Sequence, residues 1–148
     1  MLSDAIVTTD SYRPDDAVQD DSIGFAVIAA RYQGKWILCR HRSRQTWECP
    51  GGHREPGETP IETARRELFE ETGAEEFAIV PVCVYHLDGI SPEGSRSNGL
   101  LCRTEITRLG EKPESEIAQI RLSASMPDPE QMTYPTIHPL LMEICEKQ

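Results

Sequence analysis

The chain has 148 residues, enough for one domain with a real core but little apolar surplus, since 38% of it is hydrophobic. Its 15 basic residues against 25 acidic ones give a formal charge of -10, which argues against a surface built for long nucleic acid and leaves a small anionic ligand open. Five cysteines, odd in number and without a C-x-x-C pair, argue against a disulfide framework or a zinc site, and no apolar run approaches the ~18 residues of a membrane span.

Residues 1–21 are polar and aspartate-rich and read as a loose, partly disordered arm, with Ala5 to Thr8 able to add a short strand. The N-terminus lacks the basic-then-apolar pattern of a signal peptide, so a reducing cytoplasm is the expected setting. The core domain is expected over residues 22–148. Ile23–Ala30 is a buried strand candidate, Gln33-Gly34-Lys35 a turn, and Trp36–Cys39 the hairpin partner. Thr46–Cys49 is strand-like and runs into a glycine loop, Pro50-Gly51-Gly52-His53-Arg54-Glu55-Pro56-Gly57-Glu58. A helix follows from about Pro60 to Thr72. Thr59 suits its N-cap, Pro60 the first helical position, Glu62 the capping box and Gly73 the left-handed end. Ile61, Ala64 and Leu68 give this helix its inward face. Phe77–His86 and Gly99–Thr107 read as strands joined by a loop over Leu87–Asn98, and Ile117–Leu122 as a shorter strand. A terminal helix is marked by the stripe Ile137, Leu140, Leu141, Ile144 and Cys145. Strands bracketing two helices imply an α/β fold, with helices on both faces of a mixed sheet.

The central helix is electrostatically expensive. Glu67, Glu70 and Glu71 stand three and four residues apart and share one face. Like charges so placed cost about 0.2–0.5 kcal/mol per pair on an exposed helix, and a cation among them reverses the sign. Such clusters also occur as plain solvated surface. Here the preceding glycines allow a tight turn and close backbone approach to a ligand. Carboxylates alone supply hard oxygen ligands, which suit magnesium or manganese better than zinc or copper.

Gly52, five residues, Glu58, seven residues, then Arg66-Glu67-Leu68, Phe69, Glu70-Glu71, Thr72, Gly73 and Ala74 resemble the signature box of Nudix hydrolases at every defining position. The resemblance implies an α/β/α sandwich with a mixed sheet between the box helix and a C-terminal helix. It implies a Mg²⁺- or Mn²⁺-dependent hydrolase that cleaves a diphosphate linkage in a nucleoside di- or triphosphate or a derivative. Glu67, Glu70 and Glu71 are then the metal ligands, joined by the Gly51 carbonyl. One of them, or Glu114 or Glu116 from a later loop, would activate water. Glu58 and Arg66 are read as a structural clamp between loop and helix. The run Trp47-Glu48-Cys49-Pro50-Gly51-Gly52 resembles MutT-like pyrophosphatases, some of which act on oxidised purine nucleotides such as 8-oxo-dGTP. ADP-ribose, nucleotide sugars, dinucleoside polyphosphates and a non-catalytic nucleotide-binding regulator remain the alternatives.

The basic run Arg40, His41, Arg42 and Arg44 precedes the box; either it is a solvated hairpin end or Arg40, Arg42 and Arg44 contact substrate phosphates. His53 is a candidate phosphate contact and Trp47 a candidate base-stacking ring. His41, His86 and His138 have no shared spacing that suggests a histidine metal site. The expected partner is a small-molecule nucleotide, with a homodimer compatible and neither polymeric nucleic acid nor membrane expected.

Overall fold

Ala26 to Ala30 are all buried within a single strand, as expected for a strand covered on both faces. The computed structural model that shows this describes residues 6–88 and 97–148. Its elements are β1 (Ile6–Asp10), α1 (Ala17–Ser22), β2 (Phe25–Tyr32), β3 (Lys35–His41), β4 (Gly51–His53), α2 (Pro60–Thr72), β5 (Ala74–Phe77), β6 (Val80–Asp88), β7 (Ser97–Leu109), β8 (Ile117–Ser123) and α3 (His138–Glu146).

The sheet runs β1-β6-β7-β2-β3-β8, with β4 added against β2 and β5 against β7. The β2–β7 pair is parallel and the other pairs are antiparallel, so the sheet is mixed. Gln33 and Gly34 both take positive φ (53° and 79°), the primed turn that a two-residue hairpin between twisted strands requires. Beyond it β2 and β3 pair only at Arg31↔Trp36 and Tyr32↔Lys35. Further along, the segment 48–53 fills the gap between them. Glu48 bonds Cys39 in both directions, the Pro50 carbonyl accepts from Ile28 N–H, and β4 takes over the edge of β2.

Two cores lie on opposite faces. Ala64 and Leu68 of α2 pack with Ile23, Ala26, Ile28 and Ile37 on one. Leu141, Met142 and Cys145 of α3 pack with Val27, Ala29, Trp36 and Leu38 on the other. This is the expected α/β/α sandwich, with the mixed sheet between the box helix and the C-terminal helix.

Several boundaries differ from expectation. Thr46–Cys49 is not a strand, because its ladder is divided: Glu48 pairs with Cys39, while Trp47 bonds Gln131 and Thr133. The short strand lies instead in the glycine loop itself, as β4. The stretch Phe77–His86 is broken at Ala78–Ile79, so β5 and β6 pair with different parts of β7, and Thr104 Oγ1 donates to the Ala78 carbonyl there. In α3 the buried set is His138, Leu141, Met142 and Cys145, and Leu140 is 39% exposed, one position off the true stripe. From the segment read as an arm, β1 pairs with β6, and Tyr12 bonds Asp20 at the start of the sandwich. Residues 1–5 of that arm and residues 89–96 of the expected loop lie outside the described residues.

Candidate functional site

The box helix starts where its sequence says it should. Thr59 Oγ1 accepts from Glu62 N–H while Glu62 Oε1 accepts from Thr59 N–H, a reciprocal cap. Pro60 occupies the first turn, and Gly73, at φ 81°, ends the helix by donating its N–H to Phe69 O at 2.8 Å. A helix so fixed at both ends presents Glu67, Glu70 and Glu71 towards the loop that precedes it.

The loop reaches those carboxylates because two positions lack side chains. A Cβ on Gly51 would collide with the Ala26 carbonyl across the β2–β4 pair. A Cβ on Gly52 would lie 2.6 Å from the Glu67 carboxyl carbon. Gly51 N–H donates to Glu71 Oε1 at 2.8 Å. Backbone and carboxylates therefore meet along one seam.

Arg66 organises the acidic groups. Its Nε donates to Glu58 Oε2 at 2.6 Å and its Nη2 to Glu58 Oε1 at 3.1 Å, a two-pronged pair joining loop to helix. Glu58 Oε1 also accepts from Thr63 Oγ1 and Glu55 N–H. The guanidinium beside it holds the Glu58 carboxyl down at about 2. Arg66 Nη1 continues to Glu67 Oε1 at 2.8 Å and Glu70 Oε2 at 3.2 Å. Burial pushes Glu71 up to about 8; Gly51 N–H opposes this, and the charges of Glu67, Glu48 and Glu116 add to it. Burial also raises Glu67, against the pull of Arg66 and with the push of Glu70 and Glu116. Two carboxylates outside the helix, Glu48 and Glu116, thus act on the same space.

The donor set fits a hard divalent cation, since carboxylate oxygens face the loop. Among the described residues, however, no three histidine, cysteine or acidic side chains are gathered closely enough to hold a metal as they stand. Arg66 bonds Glu67 and Glu70, and Glu71 accepts from the Gly51 amide.

On the other side of Gly51 and Gly52 opens a cleft of about 370 Å³. Phe25, His53, Tyr85, Tyr134, His138 and Glu48 are among its walls. Phe25 meets His53 and Tyr85 edge-on, at 6.0 and 5.6 Å between centroids. His138 is only 6% exposed, its Nδ1 accepts from Cys49 N–H at 3.0 Å, and burial holds the imidazole down at about 4.

Of the residues singled out from sequence, Gly51, Glu58, Arg66, Glu67, Glu70 and Glu71 come together and His53 lines the cleft. Arg40, Arg42 and Arg44 do not line the cleft, although Arg44 reaches its wall through Glu48. Arg40 bonds the Arg44 carbonyl and Gln119, Arg42 pairs with Glu114 at 2.9 Å, and Arg44 pairs with Glu48 at 3.0 Å. Trp47 packs against the α3-side core, with Arg121 5.8 Å from its ring centre. Glu116 Oε2 lies 3.4 Å from His41 Nε2. Sequence reading passed over Glu48, Tyr134 and His138 as site residues. Local contacts exist, Arg44 with Glu48 and Tyr134 with His138, but what brings the two segments to one cleft is the bond from Cys49 to His138, 89 residues apart.

The model of the NUDIX domain matches residues 21–136. The chain belongs to the Nudix family. Its box is the loop and helix described above. YtkD of Bacillus subtilis (strain 168), provisionally named an 8-oxo-dGTP diphosphatase, is 45% identical over 60 residues, 40% of this chain and 37% of that protein. The RNA pyrophosphohydrolase of Yersinia enterocolitica is 34% identical over 68 residues, 46% of this chain and 34% of that protein. The chain thus matches little more than a third of the length of these curated relatives. Among solved Nudix-like structures, a mutant of the Bacillus subtilis pyrophosphohydrolase BsRppH superposes with a TM-score of 0.77 at 23% identity, over 95% of this chain and 90% of that one. The NUDIX domain of Shewanella oneidensis NrtR, complexed with ADP ribose, gives 0.67 at 17% identity, over 92% of each chain. At such identities these likenesses speak for the fold alone. No helix among the described residues is long and apolar enough to cross a membrane.

Proposed function

We propose that this Nudix chain is a divalent-metal-dependent hydrolase that cleaves a diphosphate linkage in a nucleoside triphosphate or related nucleotide. One observation carries the reading: the Gly51–Gly52 backbone lies directly against the carboxylates of Glu67 and Glu71, so that phosphate and cation would share one seam. Glu67, Glu70, Glu71 and the Gly51 carbonyl would hold Mg²⁺ or Mn²⁺. Such an ion, when bound, polarises a phosphoryl oxygen and lowers the pKa of water. The chain's own part is to position it. Arg66 and Glu58 fix the distance between loop and helix, and His53, exposed and lining the cleft next to Gly51 and Gly52, would meet phosphate. Glu116 is favoured over Glu114 as the residue outside the box that takes a proton from the attacking water. Both are largely exposed, at 85% and 95%, and each lies beside a basic side chain, but it is the charge of Glu116 that reaches Glu67 and Glu71.

The similarity to YtkD supports an oxidised purine triphosphate of the 8-oxo-dGTP type as substrate. A second reading, removal of pyrophosphate from RNA 5′ ends, is favoured by the Yersinia relative, but the charge of -10 speaks against a long RNA. The test is incubation with Mg²⁺ and a panel: 8-oxo-dGTP, dGTP, ADP-ribose, a dinucleoside polyphosphate and 5′-triphosphorylated RNA. Pyrophosphate release from 8-oxo-dGTP above the others is expected. Ligand binding with no product from any of them would make the chain a regulator instead.

A further inference from the structure

We propose that His138 is the specificity-determining residue of this site, donating a hydrogen bond from its Nε2 to an acceptor on the edge of the ligand's nucleobase. Its Nδ1 accepts from the Cys49 amide, so that nitrogen carries no proton and the neutral ring must carry its hydrogen on Nε2. That donor has no partner among the described residues. Yet no sealed-off side-chain nitrogen or oxygen there lacks one, so Nε2 is not sealed off, and the ring that carries it lines the cleft. A ring only 6% exposed, held at one nitrogen by a backbone amide and with no partner among the described residues at the other, can offer that donor to a ligand atom.

The surroundings say what kind of ligand. Tyr134 lies 4.9 Å from the His138 ring, tilted by 47°, and Phe25, His53 and Tyr85 add further rings. Flat aromatic walls suit a flat heteroaromatic guest. The volume, about 370 Å³, lies in the range of small-molecule sites, about 300–1,000 Å³. Gly51 and Gly52 border the same cleft, so a base against His138 leaves its phosphates at the box loop. The inference rests on the reading that the ligand is a nucleotide, and it adds the residue that recognises its base.

Two substitutions separate recognition from scaffolding. In His138→Asn the amide oxygen can replace Nδ1 as acceptor for Cys49 N–H, but nothing replaces Nε2. In His138→Phe both are lost. Binding of guanosine and adenosine 5′-monophosphates and of ribose 5-phosphate is measured by calorimetry on the full chain without metal. Wild type should bind a nucleoside monophosphate more tightly than ribose 5-phosphate. His138→Asn should weaken the preferred monophosphate by about tenfold, the worth of one hydrogen bond, and leave ribose 5-phosphate unchanged. In the wild type, the ¹⁵N-labelled Nε2–H signal should shift downfield with that monophosphate and not with ribose 5-phosphate. The Cys49 amide signal should move in His138→Phe and stay in His138→Asn. Wild-type affinity in His138→Asn, or no preference for the base-bearing ligands, overturns the inference. Failure of the hydrolase reading looks different: base-dependent binding through His138 with no turnover of any nucleotide once metal is added.

Discussion

The two faces of the central sheet carry different chemistry, and β4 is the seam between them. On the α2 face, carboxylates crowd against glycine backbone and are balanced by a single guanidinium. On the α3 face, aromatic rings and a neutral histidine wall a cleft. The first is suited to charge and the second to shape. The first is also local in sequence, held within one capped helix and its preceding loop, while the second is gathered from β2, β6 and the C-terminal segment. The difference suggests a division of labour, with reaction on one side of Gly51–Gly52 and recognition on the other.

Substitutions can break that division. The largest effect is expected for Glu70→Gln, which keeps helix propensity and removes one charge. Turnover should fall by about 10²–10⁴-fold with stability within ~0.5 kcal/mol of wild type; near-normal turnover with metal present would remove Glu70 from the reaction. Next comes Gly52→Ala. Its Cβ would fall 2.6 Å from the Glu67 carboxyl carbon and displace that group, and a misplacement of about 1 Å can cost ~10²-fold in rate. Steady-state kinetics should show the loss in kcat. Tyr134→Leu should act on the other face only, raising KM by about two- to tenfold with kcat held, since a ring contact is worth about 0.5–1.5 kcal/mol. A fall in kcat alone would mean that the faces are not separable in this way.

The smallest effects should appear in acid. His138 and Glu58 are both held below their ordinary values, at about 4 and about 2. Each therefore contributes stability that is complete above its unfolded pKa, about 6.5 and 4.3, and is lost as pH falls through its folded value. In urea midpoints the His138 share should be lost between about pH 6.5 and 4, on top of an opposite change from Glu71, whose raised value favours the folded state as pH falls. His138→Phe should flatten that step and leave the lower one, which Glu58→Gln should flatten in turn. An unchanged upper step in His138→Phe would assign it to another group.

The same contrast explains what could be read from sequence. Thr59, Glu62 and Gly73 specify α2 through contacts within a few residues, so its boundaries agree with the pattern. The box carboxylates share a face by helical geometry alone. His138 and Cys49, by contrast, are 89 residues apart, and no local period announces their hydrogen bond. Glu48 went unassigned for a related reason: the residues around it bond to several different elements, so the segment looked like an ordinary strand. Leu140 was misplaced because an apolar residue adjacent to the true stripe fits the pattern nearly as well as those on it.

The claim beneath the rest is that the α2 carboxylates, released from Arg66, take up a divalent cation beside Gly51. Calorimetric titration with Mn²⁺, with and without nucleotide, tests this most directly. The account predicts saturable uptake by the wild-type chain and its loss when Glu67, Glu70 and Glu71 are together replaced by glutamine. No uptake by the wild type under either condition, or equal uptake by the triple variant, would contradict it.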